Sequence, residues 1–243
     1  WFVFLIVLFV TAAGNIINDY YDAEIDAINK PKRPIPSGAI TKRQALVYAA
    51  VLFVAGNLLA FACAPLSLTL IAVFNSILLW LYAAYLKTTP LFGNISVAYL
   101  ASSVFLFGGA FQGTEGILST LPIAGATFGV MFTRELVKDG EDIPGDLAHG
   151  ARTFPILYGI RPTLILAFVS AVGGICVSLL LAGRWGLPYL AVITPVDLVI
   201  LAGALRGLGC RDAEEVERSK SSMILKIGMF ASLLVFLGSA LLL

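Results

Sequence analysis

Eight stretches of 17 to 21 mostly apolar residues, at 1–17, 44–63, 66–86, 95–112, 117–137, 162–182, 187–205 and 223–243, dominate this chain. A helix rises about 1.5 Å per residue, so each is about long enough to cross a hydrocarbon core some 30 Å thick. Lipid offers no hydrogen bonds to the backbone, so a spanning segment must be a helix or part of a closed barrel. The runs are mostly apolar and do not alternate with period two, which selects helices. The expected fold class is therefore an all-α polytopic membrane protein, a transmembrane helical bundle with eight helices in this chain. Composition agrees: 59% of the residues are hydrophobic and 13% charged, against about 25% charged in soluble domains. No long polar linker divides the 243 residues, so they read as one domain.

The sparse charges are segregated. With spans alternating in direction, 15 of the 16 Lys and Arg residues fall in loops of one face, and only Arg184 falls on the other. Positive residues accumulate on the cytoplasmic side, so a cell-membrane, multi-pass protein with its charged loops in the cytoplasm is expected. A net charge of +1 and scattered basic residues give no reason to expect nucleic acid as a partner, and no obligate protein partner is inferred. Cys63, Cys176 and Cys210 are far apart without metal spacing, and His149 is the only histidine, which excludes zinc or haem sites built on several histidines.

Acidic residues gather on the same face, although topology does not require it. In the run NDYYDAEID, Asn18, Asp22 and Asp26 are spaced by four, so in a helix they lie on one face about 6 Å apart. In KDGEDIPGD, Asp142 and Asp146 repeat that spacing, with Asp139 three residues earlier on the same side. Gly140, Pro144 and Gly145 suggest that this second face is partly a loop beyond Ile143. Like charges four apart repel, and a cation relieves the repulsion. Amide and carboxylate oxygens without His or Cys are hard ligands, suited to Mg²⁺, which completes its shell with water and phosphate. The expected metal ligands are Asn18, Asp22, Asp26, Asp142 and Asp146. Two such faces would hold a diphosphate through magnesium.

Cations stand close by in sequence. Prolines 31, 34 and 36 stiffen the segment that carries Lys32 and Arg33, and Lys87 and Arg152 occupy later loops of the same face. Each is a candidate for gripping phosphate oxygens. Asp139, beside the second face, is a candidate proton acceptor. Asp197 lies deep in the seventh apolar stretch, where a satisfied structural carboxyl is expected.

The motifs NDxxDxxxD at 18–26, NKPxRPxPSG at 29–38 and RExxKDxEDxxGD at 134–146 resemble those of the UbiA superfamily of intramembrane prenyltransferases. The resemblance implies nine transmembrane helices around a central cavity, the first of them expected to precede Trp1. It implies Mg²⁺ as cofactor and transfer of a prenyl group from a prenyl diphosphate to a lipophilic acceptor. It also implies that Tyr82 joins Lys87 and Asn18 at the diphosphate, and that Asp22, Asp26, Asp142 and Asp146 are catalytic through the metal. The stretch TRELVKDGED is more similar to the ether-lipid branch, so geranylgeranyl transfer to a glyceryl phosphate ether is expected ahead of a quinone precursor or tetrapyrrole. An ion-coupled transporter is the rival from another class, but it would place its acids near the bilayer midplane. A CDP-alcohol phosphotransferase is disfavoured because its DGxxAR signature does not occur at residues 139–144.

Overall fold

The computed structural model describes residues 1–242, and every regular element among them is helical. In chain order these are α1 (Phe2–Tyr21), α2 (Ala23–Asn29), α3 (Lys42–Cys63), α4 (Leu66–Ala84), α5 (Phe92–Ala110) and α6 (Gly113–Ala148). They are followed by α7 (Phe154–Tyr158), α8 (Ile160–Leu179), α9 (Ala182–Leu208), α10 (Ala213–Ser219) and α11 (Ser221–Leu242). Eight of them, α1, α3, α4, α5, α6, α8, α9 and α11, are long and apolar enough to cross a membrane. Large exposed side chains such as Leu58, Phe61, Leu70 and Leu234 suit a lipid surface. The protein is an all-α, multi-pass membrane protein.

The chain divides into two compact units, one of Trp1–Lys87 with Phe107–Ile117, the other of Thr88–Leu106 with the residues from Leu118 onward. In the first unit, α1 packs against α3 and α4. Ile6, Val10, Ala13 and Ile17 recur at three and four residues and form the buried stripe of α1. Facing them, Ala45, Ala49, Phe53, Gly56 and Ala60 make a stripe of mainly small residues on α3. A β-carbon on Gly56 would stand 3.0 Å from Val10 Cγ2, so a larger residue there would crowd the α1–α3 contact. In lipid, where packing rather than water exclusion drives association, such small-residue contacts carry the fold.

The second unit uses the same device. A β-carbon on Gly129 of α6 would lie 2.7 Å from the Gly174 Cα of α8, a collision with backbone. Hydroxyls complete the crossing: Thr133 Oγ1 donates to Gly129 O at 2.8 Å and is 3.0 Å from Ala167 O, and Ser170 Oγ donates to Gly129 O at 2.9 Å. Ser221 Oγ of α11 donates to Gly203 O of α9 at 2.6 Å and ties the two helices together. Gly186 takes φ +66°, a conformation open to glycine but strained for other residues, and breaks α9 so that its apolar span begins at Leu187.

One expectation is corrected here. α6 does not dissolve into a loop after Ile143; it continues through Pro144 and Gly145 to Ala148, 36 residues in all. That is about 54 Å of helix against about 30 Å of hydrocarbon, so the acidic end stands beyond the apolar segment. Proline and glycine weaken a helix without forbidding it when the preceding turns are fixed by packing, as Leu136, Val137 and Gly140 are here by burial.

Candidate functional site

The first acidic set is carried by α1 and α2, which are almost continuous. The backbone amides of Asp22, Asp26 and Lys30 bond to the carbonyls of Asn18, Asp22 and Asp26 at 2.8–2.9 Å, so the helical spacing survives the junction at Asp22. Asn18 Nδ2 donates to Asp22 Oδ2 at 3.0 Å. Its own Oδ1 is buried and has no hydrogen-bond partner among the described residues, an unmet lone pair of the kind a cation satisfies. Lys87, at the turn Leu86–Thr88 after α4, pairs with the other oxygen of Asp22. Arg33 Nη1 lies 2.6 Å from both Asp19 Oδ1 and Asp26 Oδ2, and Asp26 is only 4% exposed. Desolvation acts to lower the Arg33 pKa, but the bond to Asp26 and the charges of Asp19, Asp26 and Asp22 outweigh it and raise it. Asp19, which the four-residue spacing passes over, is thus part of this set. Tyr82 lies half-buried on α4, whereas Lys32 is exposed and makes no ion pair among the described residues.

The second set lies on the end of α6. Because that end is helical, Asp139, Asp142 and Asp146 share one face as their spacing demands. Asp142 pairs with Lys138, one turn earlier. Asp139 Oδ2 accepts a hydrogen bond from the buried Asn94 Nδ2 of α5 at 2.8 Å, a support that no local sequence signal announces. Glu141 Oε2 accepts from Ser222 Oγ of α11 at 2.9 Å. Arg152 is exposed, and its backbone amide donates to Thr88 O at 2.9 Å.

No group of three or more His, Cys, Asp or Glu side chains is gathered as a ready-made metal cage among the described residues. Asp22, Asp26 and Asp142 each face a cationic side chain instead. Magnesium does not require such a cage, because it typically takes one or two carboxylates and fills its shell with water and substrate phosphate. The all-oxygen donors and the unpartnered Asn18 Oδ1 fit that ion.

Asp197 departs from the satisfied carboxyl expected there. It is 7% exposed on α9, and its Oδ2 has no hydrogen-bond partner among the described residues. The reason is its surroundings, an apolar chamber walled by residues such as Phe105, Val130, Ile200, Met229 and Phe236. An unmet buried carboxyl oxygen costs about 1–3 kcal/mol. Asp197→Leu is therefore expected to raise stability by a similar amount, read from denaturation midpoints in detergent.

Spanning helices that end in acidic faces suit an intramembrane protein that takes up a divalent cation at those ends. The sequence model of the UbiA prenyltransferase family matches residues 1–234, and the chain belongs to this family. It is 63% identical, over its whole length and 87% of the relative's, to the digeranylgeranylglyceryl phosphate synthase of Methanospirillum hungatei. It is 52% identical, over 97% of its length and 84% of the relative's, to the synthase of the same name from Methanoregula boonei. A solved structure of a digeranylgeranylglyceryl phosphate synthase matches with a TM-score of 0.87 at 36% identity, covering all of this chain and 85% of that one. A UbiA homologue from Archaeoglobus fulgidus, solved with DMAPP and Mg²⁺, shares the fold with a TM-score of 0.65 at 19% identity, over 96% of this chain and 86% of that one.

Proposed function

We propose that the protein transfers a geranylgeranyl group from its diphosphate to the hydroxyl of geranylgeranylglyceryl phosphate, with Asn18, Asp22, Asp26, Asp142 and Asp146 holding magnesium. The 63% identity to a synthase of that name over the full chain carries the choice of reaction and acceptor. The four-residue spacing in both acidic sets and the unpartnered Asn18 Oδ1 support the choice of ligands. The excess of Lys and Arg on one face supports a cytoplasmic position for the acidic helix ends.

Bound magnesium would neutralise the diphosphate and make it a better leaving group. The chain's own residues do the rest. Lys87 and Arg33 add positive charge at the departing diphosphate, with Lys32, Arg152 and Tyr82 as further contacts. The bond between the allylic carbon and the diphosphate oxygen breaks, and the oxygen keeps the electron pair. The acceptor hydroxyl oxygen forms the new bond to that carbon, and its proton passes to Asp139. Asn94 holds one oxygen of Asp139 and leaves the other available for this proton. Asp139→Asn, which preserves size but accepts no proton, is expected to lower kcat by about 10²-fold with little change in donor KM. Unchanged kcat in that variant would remove the role.

The reaction is tested with purified protein in detergent, Mg²⁺ and labelled geranylgeranyl diphosphate. Geranylgeranylglyceryl phosphate is offered in one arm and an aromatic acid in the other. Label is expected in the glyceryl phosphate alone; label in the aromatic acid would move the protein to another branch of the family.

A further inference from the structure

We infer that Arg134 and Lys226 bind the phosphate of the acceptor lipid, and that its hydrocarbon chain occupies the chamber below them. This rests on the reading of the chain as a transferase to a glyceryl phosphate ether. An open groove of about 560 Å³ in the second unit is lined by Arg134 of α6 and by Ser222, Met223, Lys226, Ile227 and Phe230 of α11. The apolar chamber that contains Asp197 has a volume of about 340 Å³ and shares Phe230 with it. Both helices pass from the groove to the chamber in step. On α6, Arg134 gives way one turn back to Val130 and about two turns back to Thr127 and Ala126, and on α11, Lys226 and Phe230 give way to Leu233 and Phe236. From Lys226 to Phe236 is about 15 Å of helix. The result is a cationic mouth above an apolar shaft, the outline of a single-chain lipid with a phosphate head.

The mouth has charge to spare. Lys226 is exposed and makes no hydrogen bond or ion pair among the described residues. Arg134 uses Nη1 on Glu135 and keeps further N–H donors on its planar fork. Ser222 has a positioning role: by donating to Glu141 it fixes the start of α11 against α6, one turn above Lys226. Glu135 and Glu141 are thus each engaged. Arg134 lies eight residues, about 12 Å, along α6 from Asp142. Glycerol places its hydroxyl within a few bonds of its phosphate, so a head group held here keeps the reacting oxygen near the acidic end of α6.

The test compares the wild type with Lys226→Ala, Lys226→Arg and Arg134→Gln. A charge-assisted contact to phosphate is strong enough that Lys226→Ala should raise the acceptor KM about 10-fold or more. The KM for geranylgeranyl diphosphate should stay within about twofold, and Lys226→Arg should recover most of the loss. Lys226 is exposed and unpaired, so its variants decide the matter even if Arg134→Gln fails to fold. A parallel rise in both KM values would overturn the assignment. Binding is read separately, without donor, from thermal unfolding in detergent. Geranylgeranylglyceryl phosphate should stabilise the wild type more than geranylgeranylglycerol does, and Lys226→Ala should erase the difference. If Lys226→Ala kept that difference, or if a bilayer lipid such as phosphatidic acid stabilised the wild type equally well, the acceptor seat would be refuted. If the wild type transferred nothing to a glyceryl phosphate, the proposed reaction would fail, while this binding arm would still decide the seat.

Discussion

Asp22→Ala and Asp142→Ala are each expected to lower kcat/KM for geranylgeranyl transfer by about 10³-fold, with the double variant little worse than either one. Removing a single group that stabilises transition-state charge commonly costs 10²–10³-fold, and a lost metal ligand costs more through the ion it held. Residues that act as a unit are far from additive, because the first loss already disables the second. The partner cations sharpen the expectation. Without Asp22 the Lys87 ammonium loses its carboxylate, and without Asp142 the Lys138 ammonium does. Both variants should still fold, since Asp22 is only partly buried and Asp142 is about half exposed. Steady-state kinetics with unfolding midpoints as the control measures this. Single variants within a few-fold of wild type would end the case for these ligands, and fully multiplicative losses would mean that the two acids serve separate steps.

Chelation gives the second large effect. EDTA is expected to reduce transfer to background, and Mg²⁺ restores it. Asn18 Oδ1 belongs to this prediction, being a buried amide oxygen without a hydrogen-bond partner among the described residues. Asn18→Leu is expected to raise the Mg²⁺ concentration needed for half-maximal rate by about 10-fold, in line with charge-assisted contacts worth about 1.5–3 kcal/mol. Retention of full activity in EDTA would exclude the metal. An unchanged Mg²⁺ requirement in Asn18→Leu would leave the ion in place but move it away from Asn18.

Much of the architecture was legible because lipid leaves so few options. A run such as 44–63 can only be a spanning helix, and α3 covers it, beginning at Lys42 because Thr41 and Gln44 form a reciprocal cap. The four-residue spacing of Asn18, Asp22 and Asp26 also foretold a shared face, since helical geometry fixes it locally. What failed was local reasoning about Pro144 and Gly145, where tertiary packing outweighed weak helix propensity. Partners distant in sequence were beyond reach for the same reason. Nothing near Asp139 points to Asn94, 45 residues earlier, and nothing near Asp197 reveals that the distant helices packed around it would bring mainly apolar side chains. The role of Asp19 was hidden because Arg33 reaches it across a proline-stiffened loop and not along a helix face.

The ion pairs of Arg33 and Lys87 with the acids of the first set bear on how such a protein handles a polyanion at a greasy boundary. A phosphate arriving there would not meet bare ammonium and guanidinium groups wrapped in water. It would compete with carboxylates already bound to them, and the carboxylates so displaced would be free for a divalent ion that travels with the phosphate. Loading then becomes an exchange of counter-ions, with few charges stripped of solvent along the way, and product release is the same trade run backwards.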